Sequence, residues 1–446
     1  MKKYDSYKDS GIEWIGDIPS HWKAVPMRFL LRQRITDGPH ETPKFLPDGI
    51  PFLSVDGIQD GELVFEGCRK ISIEDHERYK QKCVVEKHDI LMGKAASVGK
   101  VAQVKVDFEF SIWSPLALLK PNHEKITSSY FEYFLKSTYA KDNANILSTF
   151  NTQQNISMTD IPRIYYIIPN SVEEQTAITA YLDRKTAEID ELIADKKRLL
   201  ELYEEEKTAI INELVTGKKV WDGHAWTEPA EVKDSGIEWL GEIPEHWEVK
   251  KIGHCGKIVR GGSPRPTGDP RYFFGDYIHW ITVKEVTNAI GKYVVSTEEY
   301  LTEEGSKHSR IIEPETLLLS NSGATLGVPK ISKIRGCIND GSVAFPELKS
   351  FLNRDYLYYF FVSHTDIYRE QMAGNGQPNL NTEIIKSTFI PVPSTIEEQT
   401  AIVEFIEIET LKVDAKKAKT EKLIELLTEY RTALISEVVT GKVKVI

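Results

Sequence analysis

The feature that most restricts the fold of this chain is a stretch of about 45 residues, patterned as a helix, that occurs twice. Glu-Glu-Gln-Thr-Ala-Ile at Glu173 to Ile178 returns letter for letter at Glu397 to Ile402, and Val-Thr-Gly-Lys at Val215 to Lys218 returns at Val439 to Lys442. The two copies therefore have equal length, at a constant offset of 224. Between the ends, Leu182, Ile189, Ile193, Leu200, Tyr203, Ile210 and Leu214 step by 7, 4, 7, 3, 7 and 4, which is one apolar stripe down a helix. The twin sets Ile406, Val413, Lys417, Ile424, Leu427, Leu434 and Val438 at the same positions, and only Lys417 breaks the stripe. No proline interrupts either run, and each closes on a glycine placed to end a helix, Gly217 or Gly441. A helix of this length is roughly 65 Å long and cannot bury its stripe inside one compact domain. Two equal stripes in one chain most simply bury each other as a two-stranded coiled coil. With about 1.5 to 3 kcal/mol for each fully buried aliphatic side chain, roughly a dozen paired positions suffice to hold such a rod.

A second repeat lies outside the helices. Lys-Asp-Ser-Gly-Ile-Glu-Trp at Lys8 to Trp14 is identical to Lys233 to Trp239, and the match runs on through Gly16, Ile18, Pro19, His21 and Trp22 against Gly241, Ile243, Pro244, His246 and Trp247. The chain is thus a duplicated unit of about 225 residues, a globular part followed by a long helix. The Trp and Pro segment reads either as a seal on the base of each globular part or as a docking element for a partner. Between these flanks the two copies diverge, as expected of one frame carrying two different binding surfaces.

Both globular parts read as α+β. Strands are expected at Phe52 to Val55, Cys83 to Val85, Ile90 to Met92 and Val98 to Val104, with a helix at Ser128 to Tyr139. The second part follows with strands at Tyr277 to Val283, Thr316 to Ser320 and Val328 to Ile331 and a helix near Asp355 to His364. A linker is expected from Lys219 to Val232. The expected division is 1–170 as a first recognition domain, 171–218 as the first long helix, 219–393 as linker and second domain, and 394–446 as the second helix.

No apolar run approaches the roughly 20 residues of a membrane span, and the first residues lack the apolar core of a signal peptide, so a cytoplasmic protein is expected. Cys68, Cys83, Cys255 and Cys337 form no C-x-x-C pair and are expected as free thiols. The net charge of −11 weighs against nucleic acid, but the excess of acid lies partly in the first helix and the first globular part is near neutral. Phosphate affinity depends on where cations cluster rather than on their sum.

Catalytic patterns are missing from the sequence. Gly93 to Lys100 has five residues between its glycines where a phosphate loop has four, and Val101 stands where that loop needs a hydroxyl. There is no H-E-x-x-H, no G-x-S-x-G and no Asn-Pro-Pro-Tyr.

Recognition chemistry is better represented, in three matched pairs of segments. The first pair is two glycine-rich turns after apolar strands, with Lys94, Ser97 and Lys100 in one and Ser320, Asn321, Ser322, Thr325 and Lys330 in the other. Backbone N–H groups and short hydroxyls beside a lysine suit phosphate oxygens, and an ordinary hairpin turn looks the same. The second pair is amide-rich: Asn151, Gln153, Gln154 and Asn155, against Asn375, Gln377, Asn379 and Asn381. Asn and Gln can pair bidentately with adenine, and they also populate plain surface loops. The third pair consists of rigid turns presenting His40, Thr42 and Lys44, against Ser263, Arg265 and Thr267, where Arg265 suits a guanine edge or a phosphate.

Taken together, the Gly-Ile-Glu-Trp-x-Gly-x-Ile-Pro-x-His-Trp segments, the Ile-Pro-x-Pro-x-x-x-Glu-Glu-Gln helix entry at Ile390 to Gln399 and the alternation of variable parts with long helices resemble the specificity subunit of type I restriction-modification systems. The first helix entry departs slightly, with Ile168-Pro169-Asn170-Ser171 and no second proline. The resemblance implies two similar α+β target-recognition domains separated by an antiparallel coiled coil, related by a pseudo-twofold internal repeat. Each domain would read one half of a split, asymmetric site in double-stranded DNA. Two modification subunits would dock on the frame and methylate adenine, and restriction subunits would add ATP-driven cleavage. S-adenosylmethionine, ATP and Mg would then belong to those partners, with no cofactor, metal or active site in this chain. The rival expectation is a coiled-coil scaffold joining two protein-binding domains.

Overall fold

A computed structural model describes residues 2–95, 97–150, 154–323, 325–372 and 379–445. Two helices dominate it, Val172–Val215 and Ile396–Val439, each of 44 residues; the first ends three residues short of the expected 218 and the second seven short of 446. Ser171 and Thr395 cap their starts, accepting from the N–H groups of Glu174 and Glu398. Both end alike. Gly217 and Gly441 take φ values of +75° and +72°, and the next N–H, of Lys218 or Lys442, bonds back to Glu213 or Glu437.

The chain forms two compact units, and each takes part of both helices: residues 1–197 with 421–446, and residues 198–420. In the first unit Ile178, Leu182 and Ile189, from the opening of the first helix, share one core with Leu434, Ile435 and Val438 from the close of the second. The helix segments there run antiparallel, tied by Arg431, whose Nε and a terminal nitrogen donate to the two carboxylate oxygens of Asp190 at 2.8 and 2.9 Å. In the second unit the close of the first helix, Ile211 and Leu214, packs with the opening of the second, Ile402 and Ile406. Lys207 to Asp414 at 2.8 Å occupies the same place there as Arg431 to Asp190.

The stripe is buried unevenly. Leu182, Ile189, Leu214, Ile406, Val413, Leu434 and Val438 are buried, whereas Ile193, Leu200, Tyr203, Ile210, Ile424 and Leu427 are half-buried. Two helices alone cannot cover a side chain on every side, so full burial comes where a globular domain adds a third wall. Lys417, the break in the stripe, bonds to Glu204, and Lys416 reaches Glu206 at 3.2 Å.

The globular part of the first unit holds a four-stranded antiparallel sheet in the order Val101–Gln103, Ile90–Gly93, Leu116–Leu119, Thr36–Asp37. Beside it lies a three-stranded sheet of Ser111–Ile112, Ile50–Leu53 and Arg69–Ile71. The second unit has a five-stranded sheet, Gly256–Arg260, Ser342–Leu348, Thr316–Ser320, Pro329–Ser332, Tyr293–Val294, and a four-stranded one built on Phe273–Ile281. In both units the strand before the long helix pairs antiparallel with the strand after the tryptophan segment: Tyr165–Ile168 with Lys23–Pro26, and Phe389–Val392 with Glu248–Lys251.

Three expectations fail locally. Cys83 to Val85 forms no strand, because the N–H of Cys83 is already given to the carbonyl of Tyr79 at the close of the helix Ile73–Lys80. The helix expected over Ser128 to Tyr139 breaks at Ser137, which bonds to the carbonyl of Phe134 and caps a second helix, Thr138–Ile146. The linker contains a hairpin, Val220–Trp221 with Trp226–Thr227, held by Trp226 stacked on Phe405 at 4.8 Å between ring centroids.

The repeated motifs turn out to be the joints of this frame. Glu174, the second glutamate of Glu-Glu-Gln, accepts from the indole N–H of Trp22 at 3.0 Å and lies 3.1 Å from His21. Glu398 does the same with Trp247 at 2.9 Å and His246 at 3.0 Å. The buried Gln175 accepts from the N–H of Thr127 and donates to the carbonyl of Lys125, while Gln399 accepts from Asn353 and donates to Phe351. Lys442 donates to the carbonyls of Ile15 and Asp17, and Lys218 to those of Leu240 and Glu242. The Tyr130 hydroxyl, fully buried, bonds to Val439 at the end of the second helix, and that of Tyr356 to Val215 at the end of the first. The tryptophan segment is therefore a seal on the base of each domain.

Candidate nucleic-acid interface

In each unit one aspartate joins the rigid turn to the glycine-rich turn, and the glycine-rich turn itself meets the amide-rich stretch. In the first unit this is Asp37, at the end of an edge strand. Its two oxygens take Lys82, Lys94 at 2.8 Å and His40 at 3.1 Å. Burial pushes the Asp37 carboxyl upward, but the bonds and charges of Lys82 and Lys94 outweigh it and hold the group below the usual range. The turn carrying Lys94 also meets the amide-rich stretch, through an isolated bridge between Ala95 and Asn155 and a bond from the N–H of Ile156 to the carbonyl of Lys94.

The second unit repeats the arrangement with different residues. Asp340 accepts from the Ser263 hydroxyl at 2.6 Å and pairs with Arg265 at 3.3 Å, and its carbonyl accepts from the side-chain amide of Asn321. The Ser263 bond and the charges of Arg265 and Arg260 keep this carboxyl low. A bridge between Ser322 and Asn379, with a bond from the N–H of Leu380 to the carbonyl of Asn321, again joins the glycine-rich turn to the amide stretch.

The exposed members of these clusters are His40, Thr42, Lys44, Lys100 and Asn155 in one unit, and Arg265, Thr267, Thr325, Asn379 and Asn381 in the other. Ser97, Gln154, Ser263 and Ser322 are half-buried. Gln154 donates to Asn145 at 2.7 Å, and Arg265 to Thr267 at 3.0 Å. Asn151, Gln153, Asn375 and Gln377 lie outside the described residues.

The reading of the glycine-rich turns as open phosphate cradles needs correction. The N–H groups of Gly93, Lys94, Ser97, Gly99 and Lys100 are all donated within the domain, as are those of Ser320, Asn321, Gly327 and Val328. Ser320 and Asn321 are fully buried, the Ser320 hydroxyl bonding to the carbonyl of Thr325. Lys330 is turned inward onto the carbonyls of Ala289 and Gly291, and burial pulls its ammonium below the ordinary lysine range. Lys94 is spent on Asp37. Asn381 caps the helix Thr382–Ser387, accepting from the N–H groups of Glu383 and Ile384. These residues shape the patch rather than face a ligand. Asp37, Lys82 and Asp340 are the organising groups that the sequence did not mark, because an isolated carboxylate carries no spacing to recognise.

The four cysteines are unpaired. His76 lies 3.3 Å from Glu109 and near Glu77, but Lys80 already pairs with both glutamates, so the cluster is neutralised from within. No helix among the described residues is long and apolar enough to cross a membrane.

The family model described as type I restriction modification DNA specificity domain matches residues 43–202 and 244–426, most of the chain. The chain belongs to this family. It is 32% identical over 195 residues to the type I restriction enzyme MjaIX specificity subunit of Methanocaldococcus jannaschii, covering 43% of this chain and 44% of that protein. Against the putative MjaX specificity subunit of the same organism it is 24% identical over 441 residues, 97% of this chain and 96% of that protein. The chain thus spans under half of the first relative and nearly all of the second. Among solved structures it is similar to one described as the structural basis underlying complex assembly and conformational transition of the type I R-M system, with a TM-score of 0.70 at 15% identity, covering 96% and 99% of the two chains. It is also similar to the HsdS subunit from Thermoanaerobacter tengcongensis, with a TM-score of 0.55 at 15% identity, covering 96% and 98%. At such identities these two likenesses concern the fold.

Proposed function

We propose that this chain is the non-catalytic DNA-specificity subunit of a type I restriction-modification complex. Each α+β domain reads one half of a bipartite, asymmetric site, and the long helices set the spacer and receive two modification subunits. Restriction subunits complete the complex, and S-adenosylmethionine, ATP and Mg are used on the partners, in the cytoplasm. The observation that carries this reading is the convergence, in both copies, of three divergent polar segments onto one patch over a frame whose joints are nearly identical. Separate selection on two readers and common selection on one frame produces that pattern. A scaffold for two protein partners has no reason to place amide and basic side chains at the same patch twice.

Methylome sequencing of a strain expressing the chain with its partners tests the proposal. The expected result is a single bipartite adenine-methylated motif. Exchanging residues 24–165 for those of another family member is expected to change one half of that motif alone. Four residues inserted into one long helix, about 6 Å, are expected to lengthen the spacer by one or two base pairs of about 3.4 Å each. Methylation without sequence preference would refute the reading.

A further inference from the structure

The first unit holds a cavity of about 860 Å³ that the recognition patch does not account for, walled by the globular domain on one side and by the two helix segments on the other. Its lining carries Lys100, Lys136, Lys141, Lys197 and Arg431 against two carboxylates, Asp60 and Asp190. Asp190 is consumed by the two-point pair with Arg431. Lys136 is consumed as well, by Glu132 at 2.7 Å and the carbonyl of Gly61. Lys100 bonds to the carbonyl of Ile58 at 3.2 Å and makes no ion pair among the described residues. Lys141 and Lys197 have no ion-pair partner among the described residues. Burial, together with the like charges of Lys136 and Arg431, pulls Lys141 below the ordinary lysine range, and the neighbouring Asp142 opposes this only in part. Three exposed cations, Lys100, Lys141 and Lys197, thus face the single carboxylate of Asp60 across this space, which leaves a local excess of positive charge.

The second copy of the frame shows that this excess is not needed to build the fold. At the helix positions offset by 224 residues, Ile193 corresponds to Lys417 and Thr428 to Glu204, and these two bond to each other. Lys197 becomes Glu421. In the register that aligns Tyr130 with Tyr356, Lys136 and Lys141 fall on Val362 and Ile367. Only the pair Arg431 to Asp190 is retained, as Lys207 to Asp414. One copy closes its charges internally, and the other leaves them open.

We infer that this cavity seats a phosphate group, supplied by the DNA backbone beside the half-site that the first domain reads. The inference rests on the DNA reading above and adds to it a contact that positions the duplex without reading bases, placed at the junction of reader and helices. Its size suits a length of sugar-phosphate chain, and the same chemistry would accept a free phosphate.

The full chain is titrated with inorganic phosphate by calorimetry, against chloride at matched ionic strength, as wild type, K141Q, K197Q and the double variant. K422Q, a helix lysine outside the cavity lining, is the charge control. Wild type and K422Q are expected to bind phosphate, with at least tenfold loss in the double variant and a smaller loss in K197Q. Lys141 and Lys197 are both exposed, so neither variant empties a core position, and K197Q tests the cavity independently of K141Q. In the complex with partner subunits, the double variant is expected to leave the recognised sequence unchanged while lowering the slope of log affinity against log salt by about 1 to 2. Phosphate binding with no change in DNA affinity or salt slope would assign the site to a free phosphate compound and overturn the backbone assignment. No phosphate binding and an unchanged salt slope would overturn the site altogether. A complex without any sequence preference would sink the DNA reading but leave the phosphate titration to decide the cavity.

Discussion

The two copies agree where side chains join helix to domain and differ where they face outward. Glu174 and Glu398 hold equivalent tryptophans, Tyr130 and Tyr356 hold equivalent helix ends, and Gly217 and Gly441 turn the chain at equivalent points. Each of these residues has several partners fixed in space, so a change in one would leave another buried polar group unmatched. The patches around Asp37 and Asp340 share a plan and almost no residues, because a loop held by one carboxylate tolerates many side chains around it. The comparison teaches that the duplication preserves constraints rather than sequence as such.

The sharpest way to test that equality is at the helix ends. A Cβ on Gly441 would sit 2.4 Å from Pro19, and one on Gly217 would sit 2.5 Å from Pro244, both at positive φ. G441A and G217A are each expected to destabilise their own unit by about 3 kcal/mol, combining left-handed strain with overpacking. Urea unfolding followed separately in the two units would show it, and a large cost in one unit only would break the equivalence.

A second test uses a difference under a shared motif. Trp14 stacks on Tyr139, whereas Trp239 packs against His364, whose other faces meet Phe360 and Tyr368. His364 is buried with its Nδ1 unpartnered, and burial lowers its pKa to about 4. The folded value lies below the unfolded one, so the unfolded chain binds the extra proton. Stability is therefore whole above pH about 6.5 and falls as pH drops toward 4, by about 3 kcal/mol at most. H364F is expected to flatten that fall in the second unit and leave the first unchanged. An unaltered pH profile of the urea midpoint would show that this imidazole is not the group responsible.

The smallest effect is expected between the helices. Converting Lys417 to Ile together with Glu204 to Thr gives the second unit the side chains of the first, and exposed pairs of this kind contribute about 0.2 to 1 kcal/mol. Thermal unfolding is expected to change by that little, in either direction. A loss of several kcal/mol would mean the pair is a joint like Glu174.

The long helices and joints were legible because the 7, 4, 7, 3 spacing and the repeated ends report packing that any water-soluble rod must satisfy. The correspondence of segments between the two copies was legible through position in the repeat, but their meeting within each copy was not, because it runs through Asp37 and Asp340, which no pattern marks. The inner roles of Ser320, Asn321 and Lys330 were not, since a glycine-rich turn beside a lysine reads alike whether its N–H groups face out or are spent within. The break at Ser137 was hidden too, because a serine is compatible with a helix until its hydroxyl finds a cap.

Each unit draws one helix segment from its own half of the sequence and the other from the opposite half. A chain cut to a single repeat would therefore leave its domain without a wall and its helix end without a socket. Two copies of such a half-length chain carry the missing pieces for one another. Their reciprocal exchange would complete both domains in a dimer of identical chains.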